Sequence, residues 1–370
     1  MKIAILGTRG IPNNYGGFEQ FAECVSVSLV KRGHQVTVYN PHFHYYQSDT
    51  YNGVMIRKIY SPEKSIGASA NFIYDYLCLK DALKLDFDII LECGYHSNAP
   101  SYFLMGQRKS PILITNMDGL EWKRSKWNRT TRWLIKRLEK LAVKKSHYLV
   151  SDNIGIQQYY KNEFGVDSCC IAYGATPVDV FDEQCIKAYG ITPNHYFMLI
   201  ARLEPENNIE PVLDGYLMSG SKLLFLVIGN NDTPYGRYLK NKYANENINF
   251  VGGLYQKEIL DSLRYYAKAY FHGHSVGGTN PSLLEAMASK ALIVAHDNVF
   301  NRAVLKGNAL FFSTDRDVVN VINQIDEFEV RNFKENNYLL IKNEYSWEKI
   351  ASMYESLFED ALKRLAFDKV

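Results

Sequence analysis

No stretch of this 370-residue sequence holds the roughly 18 consecutive apolar residues that a membrane-spanning helix needs. Cysteine is sparse: the six residues at 24, 78, 93, 169, 170 and 185 show no C-x-x-C and no ligand-like spacing, so neither a disulfide framework nor a zinc site is predicted. No charged-then-apolar leader opens the sequence, and a reducing cytoplasm is the expected compartment. Neither sign of charge prevails. Forty-two Lys and Arg against 40 Asp and Glu leave a net charge of +2, which argues against a globally basic nucleic-acid binder and confines electrostatic recognition to local patches. Biased and repetitive segments are missing too, and 46% hydrophobic with 22% charged residues is the composition of a globular protein.

What is present is a regular alternation. The short apolar runs "KIAIL" (2–6), "QVTVY" (35–39), "DIILE" (88–92), "PILIT" (111–115) and "HYLVS" (147–151) read as buried parallel strands between amphipathic segments. Between the first two, Phe18, Phe21, Ala22, Val25 and Leu29 recur at helical spacing until Gly33. After a loop-rich passage at 173–182 the pattern restarts with "YFMLIA" (196–201), "KLLFLVIG" (222–229), "INFVG" (248–252), "AYFHG" (269–273) and "ALIVA" (291–295). Strand, helix, strand, twice over, predicts an α/β chain of two Rossmann-like, doubly wound domains, 1–175 and 176–346, facing a central cleft. "SWEKIASMYESLFEDALKRL" (346–365) reads as a last amphipathic helix with Ser346 as its cap.

The first strand runs into "GTRGIPNNYGGFE" (7–19). A dinucleotide fingerprint needs G-x-G-x-x-G and an acid at the end of the second strand. Here the spacing is "GTRG" and the second strand ends on Asn40 and Pro41, so nicotinamide binding is set aside. There remain Gly16 and Gly17 at the expected start of the first helix. Bare backbone there admits a ligand and its N–H groups suit an anion; a flexible turn is the alternative. In "HSVGGTNPSLLEAM" (274–287), Asn280 can cap a helix that opens on Pro281, so Gly278 and Thr279 precede a positive helix end. Glu285 lies one turn in, within reach of sugar or ribose hydroxyls, or else solvated. "ARLEPENN" (201–208) follows a strand and offers Arg202, whose planar fork suits phosphate oxygens. An arginine and a helix N-terminus in one domain predict a diphosphate ligand.

In order along the chain, "GGFE" with "LVKRGHQVTVY" (29–39), "ARLEPENN", "FVGGLYQKEI" (250–259), "GGTNPSLLEAMAS" (277–289) and "YSWEKI" (345–350) resemble glycosyltransferase family 4 over nearly the whole sequence. The resemblance implies a GT-B fold whose C-terminal helix, 347–370, crosses back to the first domain. It also implies a retaining, metal-independent transfer from a nucleoside-diphosphate sugar, with no cofactor. "GTRGIPNNYGGFE", "NMDGLEWKRSKW" (116–127) and "HSVGGTNPSLLEAM" further resemble a subgroup containing rhamnosyltransferases of bacterial capsule and exopolysaccharide assembly. That implies a hexose such as L-rhamnose and a saccharide acceptor linked to polyprenyl diphosphate.

Carried over by position, the resemblance puts Arg202 on the donor diphosphate, Gly16 and Gly17 against that diphosphate or the acceptor, and Glu285 on the ribose. Gly278, Thr279 and Asn280 fall to the phosphate and donor sugar, and Arg9 and Glu19 to the acceptor. Three positions depart from the family: Asn207 stands where a lysine is usual, Gly277 where a glutamate is usual, and Asp118 where a histidine is usual. With Arg202, Asp118 is the candidate catalytic residue, a carboxylate able to orient a reacting hydroxyl; an Asx turn is the alternative. Arg9 is a candidate replacement for the absent lysine. The nearest approach to a metal-binding D-x-D, "DFD" at 86–88, is expected to close a helix. A nucleotide-sugar epimerase of the same fold and a non-catalytic two-lobed saccharide-binding protein are the rival readings.

Residues 121–148 carry ten Lys and Arg against two Glu, with three of the four tryptophans. In a helical reading Trp133, Leu134, Leu138 and Leu141 share a face, with Arg132, Lys136, Arg137, Lys140 and Lys144 around them. A basic amphipathic helix with tryptophan predicts an anionic membrane surface as partner, hence a peripheral position on the inner face of the cell membrane. Packing on the chain's own sheet is the alternative. No nucleic-acid motif accompanies the charge.

Overall fold

The computed structural model describes residues 1–14, 16–244, 247–328 and 330–367. Contacts divide the chain into two units, the first holding residues 1–123, 127–173 and the segment from Trp347, the second 124–126 and 174–346. Of the expected segment 347–370, residues 368–370 lie outside the described residues.

The first unit is built on an eight-stranded sheet. Its strands are β1 (Lys2–Leu6), β2 (Gln35–Pro41), β3 (Thr50–Tyr51), β4 (Val54–Ile59), β5 (Ile89–Cys93), β6 (Ile112–Asn116), β7 (Tyr148–Ser151) and β8 (Cys169–Cys170), in the spatial order β3-β4-β2-β1-β5-β6-β7-β8. All neighbours are parallel except β3 and β4. Ile3 to Leu6 and Ile89 to Leu91 are fully buried, the signature of a parallel sheet covered on both faces.

The first helix, Gly17–Lys31, buries Phe21, Ala22, Val25 and Leu29 of the predicted stripe, while Phe18 in its first turn is half-buried. The C-terminal helix, Trp347–Phe367, packs on it within the same unit: the Phe21 and Tyr354 rings lie 5.1 Å apart, and Glu355 receives Arg32 at 3.0 Å and His34 at 2.7 Å.

The second unit holds six parallel strands, β9 (Tyr196–Ile200), β10 (Leu224–Ile228), β11 (Ile248–Gly252), β12 (Ala269–His272), β13 (Ile293–His296) and β14 (Leu310–Phe312), ordered β11-β10-β9-β12-β13-β14. Phe197, Leu199, Phe225, Val227, Phe271 and Val294 pack into its core. Each sheet winds both ways from one strand, β1 between β2 and β5, and β9 between β10 and β12. The crevices beyond the carboxyl ends of these strand pairs are where doubly wound sheets receive ligands.

At the opposite, amino end of β1, Asp88 accepts the Lys2 amide at 2.7 Å and Asp86 the Lys2 ammonium at 2.9 Å. The "DFD" triplet therefore fastens a strand rather than capping a helix.

The basic helix runs Arg129–Lys145 from an Asn128 cap. It buries Ile135, Leu138, Glu139 and Ala142, a stripe at i, i+3, i+4 and i+7, while Trp133 and Leu134 are 58% and 47% exposed. The expected face thus splits: Leu138 turns inward and Trp133 and Leu134 outward, because Ile135 and Ala142 set the inward stripe.

Candidate functional site

The loop after β1 is shaped by two of its glycines. Gly10 has φ +93°, and a Cβ there would stand 2.4 Å from the Asn40 side chain. Asn40 uses that space to accept the Ile11 amide at 3.1 Å and donate to the Ile11 carbonyl at 2.8 Å. Where a dinucleotide enzyme presents an acid to a ribose, this chain clamps its own loop. Gly7, at φ +78°, leaves no room for a Cβ, which would meet the Cys93 carbonyl at 2.6 Å. Gly16 differs. Its backbone is extended, and the nearest atom to a Cβ would be a flexible one, Glu19 Oε2 at 3.2 Å. Gly16 caps the first helix and Gly17 opens it; the fold leaves no room for a side chain at Gly7 or Gly10, whereas at Gly16 only the Glu19 carboxylate would have to give.

Arg9 and Glu19 are brought together in this loop. The buried Glu19 accepts the Arg9 amide at 2.7 Å, and the Arg9 guanidinium pairs with Glu63 at 2.6 Å. With Thr8, Asp75 and Ser97 these residues line a polar cavity of about 110 Å³ at the first switch point. Burial pushes the Asp75 carboxyl up to about 7 against a hydrogen bond from Ser97, and pushes the buried Glu92 beside it well above the usual carboxylate range. Three acids around one arginine favour neutral hydroxyl groups over a phosphate. Sequence reasoning did not find Asp75 or Glu63; the one signal was an acid inside the apolar run "NFIYDYLCL".

Asp118 follows β6 in a left-handed conformation, φ +52°. Its amide donates to Asn116 Oδ1 at 3.0 Å, so the Asx turn is made by Asn116 and the Asp118 side chain takes no part in it. The charges of Asp118 and Glu19 both act on Cys93 at the end of β5, which places the two acids around the same strand ends.

In the second unit Arg202 is exposed just beyond β9. Asn207 is buried and donates to the Arg202 carbonyl at 2.7 Å, shaping the loop without adding a cation. The helix Pro281–Ala288 begins as its sequence predicts, with Asn280 Oδ1 accepting the Ser282 amide at 2.9 Å and Gly278 and Thr279 leading into it. Gly277, at φ +125°, has open space where a side chain would project.

Glu285 is not solvated. Its Oε2 receives the guanidinium of Arg264 at 2.5 Å, and Arg264, almost wholly buried, also meets Asp261 at 3.2 Å. An arginine keeps its charge even when buried, so this pair fixes the Glu285 carboxylate while a quarter of the side chain, 26%, stays exposed. Arg264 was missed because "DSLRYY" reads as an ordinary helix end. Since β9 and β12 are neighbours, Arg202 and the 273–280 segment rise from one switch point.

Residues 183–347 match the family model for glycosyl transferases group 1. That segment is thus similar to group 1 glycosyl transferases. Residues 1–176 match a domain of unknown function, DUF1972. An uncharacterised glycosyltransferase of Methanocaldococcus jannaschii is 24% identical over 304 residues, covering 75% of this chain and 76% of the relative. Among solved structures, sucrose-phosphate synthase from Thermosynechococcus elongatus superposes with a TM-score of 0.77 at 13% identity, over 98% of this chain and 99% of the other. Anabaena HepE, solved with UDP, gives 0.72 at 13% identity over 97% and 100%. The fold of this chain is therefore GT-B. Arg202, the Pro281 helix start and Glu285 lie within the segment that matches the group 1 model; the Arg9 cavity and Asp118 lie within the segment that matches DUF1972.

Proposed function

We propose that the chain is a retaining glycosyltransferase acting in the synthesis of a bacterial surface polysaccharide. It moves a hexose, L-rhamnose among the candidates, from a nucleoside diphosphate to a hydroxyl of a saccharide carried on polyprenyl diphosphate. The supporting observation is the convergence on one switch point of Arg202, a capped helix start and a Glu285 fixed by buried Arg264. Cation, helix dipole and hydroxyl acceptor together suit a diphosphate with its ribose. The UDP and UDP-glucose complexes of HepE, a protein of the same fold, favour the same donor class.

As the anomeric bond breaks, charge gathers on the departing diphosphate, where Arg202 and the helix start stabilise it. The acceptor hydroxyl enters on the face that the phosphate leaves and gives its proton to the phosphate oxygen. Asp118 accepts a hydrogen bond from that hydroxyl, and Gly16 and Gly17 leave backbone room for the substrate. The cavity of Arg9, Glu19, Glu63 and Asp75 holds acceptor hydroxyls. No metal or cofactor takes part. Trp133 and Leu134, exposed beside Arg137, Lys140 and Lys144, dock the enzyme on anionic lipid at the inner membrane face.

Calorimetry with UDP, dTDP and GDP tests the reading. One nucleotide should bind, and Arg202→Ala should weaken it roughly tenfold or more, the worth of a charged hydrogen bond. Affinity for none of the three would sink the transferase, and sugar-nucleotide turnover without any acceptor would favour an epimerase. Loss of activity in EDTA with recovery in Mn²⁺ would overturn the metal-free mechanism.

A further inference from the structure

Strand β12 has two unlike faces. Phe271 joins the apolar core, while Tyr270, His272 and His274 point the other way and form a ladder, with ring centroids 6.1 Å apart for the first pair and 4.4 Å for the second. The two imidazoles are nearly parallel, at 18°. Neither ring nitrogen of the fully buried His272 has a hydrogen-bond partner, nor has the buried Nδ1 of His274. His274 is nonetheless partly exposed, so the ladder ends at the surface. Beyond the paired strands, the residues on either side of His274 bond to the loop that Arg202 opens, Gly273 to Asn208 and Ser275 to Glu206, and the Arg202 charge reaches the His274 ring.

The backbone that presents His274 is pinned from several sides. Its carbonyl accepts Asn298 and Asn301 at 3.0 Å each, Ser275 bonds to the Glu206 carbonyl at 3.2 Å through its amide and 2.7 Å through its hydroxyl, and Asn208 donates to the Gly273 carbonyl at 2.7 Å. A ring whose backbone is held this firmly on the Arg202 loop, with its buried Nδ1 lacking a partner, is fitted to a ligand rather than to the fold.

We propose that His274 is the second cation of the diphosphate site: neutral in the empty protein, it takes up one proton from solvent when a nucleoside-diphosphate sugar binds beside Arg202. The inference rests on the donor reading above, and it answers the departure at Asn207, where the related enzymes have a lysine. In the empty site burial comes first, then Arg202 and Arg124; together they push the His274 imidazole down to about 3, with Glu206 opposing. The remaining neighbours are the buried, neutral His272 stacked on it, His296 beyond that, and the uncharged amides of Asn298 and Asn301. A diphosphate reverses this balance: it cancels the Arg202 field and sets its own negative charge against the ring. The cation then exists only while its counter-charge is present, whereas a permanent lysine would repel Arg202 in the empty site.

The test is calorimetry of the full-length protein with UDP-glucose, or with dTDP-glucose or GDP-mannose if UDP-glucose does not bind, in buffers of differing ionisation enthalpy. These diphosphate diesters do not themselves titrate near neutrality. Near pH 6 the wild type should take up close to one proton per site, and Kd should rise up to about tenfold per pH unit above the pKa of the bound ring. His274→Gln should abolish the uptake and flatten the pH dependence. Adding Asn207→Lys to that variant should restore affinity without restoring uptake. Binding with no proton uptake, or with equal uptake in His274→Gln, overturns the inference and leaves the donor reading standing; absence of binding by every sugar nucleotide overturns both. Imidazole ¹⁵N shifts of the wild type, with and without ligand, read the same protonation should the variant fail to fold.

Discussion

The amide of Asn116 joins two distant parts of the first unit: its Nδ2 donates to the Tyr354 hydroxyl of the C-terminal helix at 3.0 Å while its Oδ1 accepts the Asp118 amide at 3.0 Å. The helix that closes the fold and the carboxylate assigned to the acceptor hydroxyl therefore hang on one side chain. Tyr354→Phe removes a single buried hydrogen bond and should cost about 1 kcal/mol in a denaturant titration, with turnover little changed. Asn116→Ala removes both bonds, so it should also lower kcat. Asp118→Asn should leave nucleotide affinity intact and reduce the rate; an unaltered rate would remove Asp118 from the mechanism.

The glycine loop gives a contrast between neighbours. Gly10→Ala forces a side chain into Asn40 at a positive φ and should destabilise the protein by about 2 kcal/mol or more. Gly16→Ala meets no such obstacle, so its melting temperature should stay within a few degrees while turnover falls. A Gly16→Ala enzyme of full activity would show that no substrate approaches that backbone.

Asp75 predicts a pH dependence with a definite sign. Its folded-state pKa, about 7, lies above the ordinary 3.8, so over that interval the folded chain keeps a proton that the unfolded chain has released. The stabilising contribution is complete below the lower value, declines as pH rises, and is gone above the higher one. Asp75→Asn should remove this slope and be more stable than wild type at about pH 8, as denaturant midpoints across the interval would show. Glu92, shifted the same way, would leave a residual slope of like sign.

The outward face of the basic helix should bind anionic vesicles. Sedimentation with phosphatidylglycerol liposomes should deplete the protein from the supernatant, and phosphatidylcholine alone should not. Arg137→Glu with Lys140→Glu should abolish the difference, since each surface cation is worth about 1 kcal/mol near such a membrane. Equal supernatants for the two lipids in the wild type would count against membrane docking.

Much of this architecture could be read from the sequence, and the exceptions share a cause. The five strand runs of each half and the Asn280–Pro281 helix start are local patterns, in which neighbouring residues carry the whole signal. The two-residue strands β3 and β8 are too short to show a period. In the candidate site, Arg202 and Glu285 stand out in the sequence because each belongs to a contiguous motif, but the residues that hold them do not. Arg264 lies 21 positions from Glu285, Glu63 lies 54 from Arg9, and Tyr354 lies 238 from Asn116. Such partners are chosen by the fold, and spacing along a single chain does not encode them.

The return of the C-terminal helix to the first unit bears on the order in which the protein is made. Phe21 and Asn116 wait for Tyr354, and His34 for Glu355, until the whole 174–346 stretch between them has been made. The second unit, with its contiguous 174–346 stretch, is complete before the first. Synthesis thus inverts the usual N-terminal-first sequence of domain folding. A fragment ending near residue 176 would leave uncovered the apolar surface around Phe21 on which Tyr354 packs.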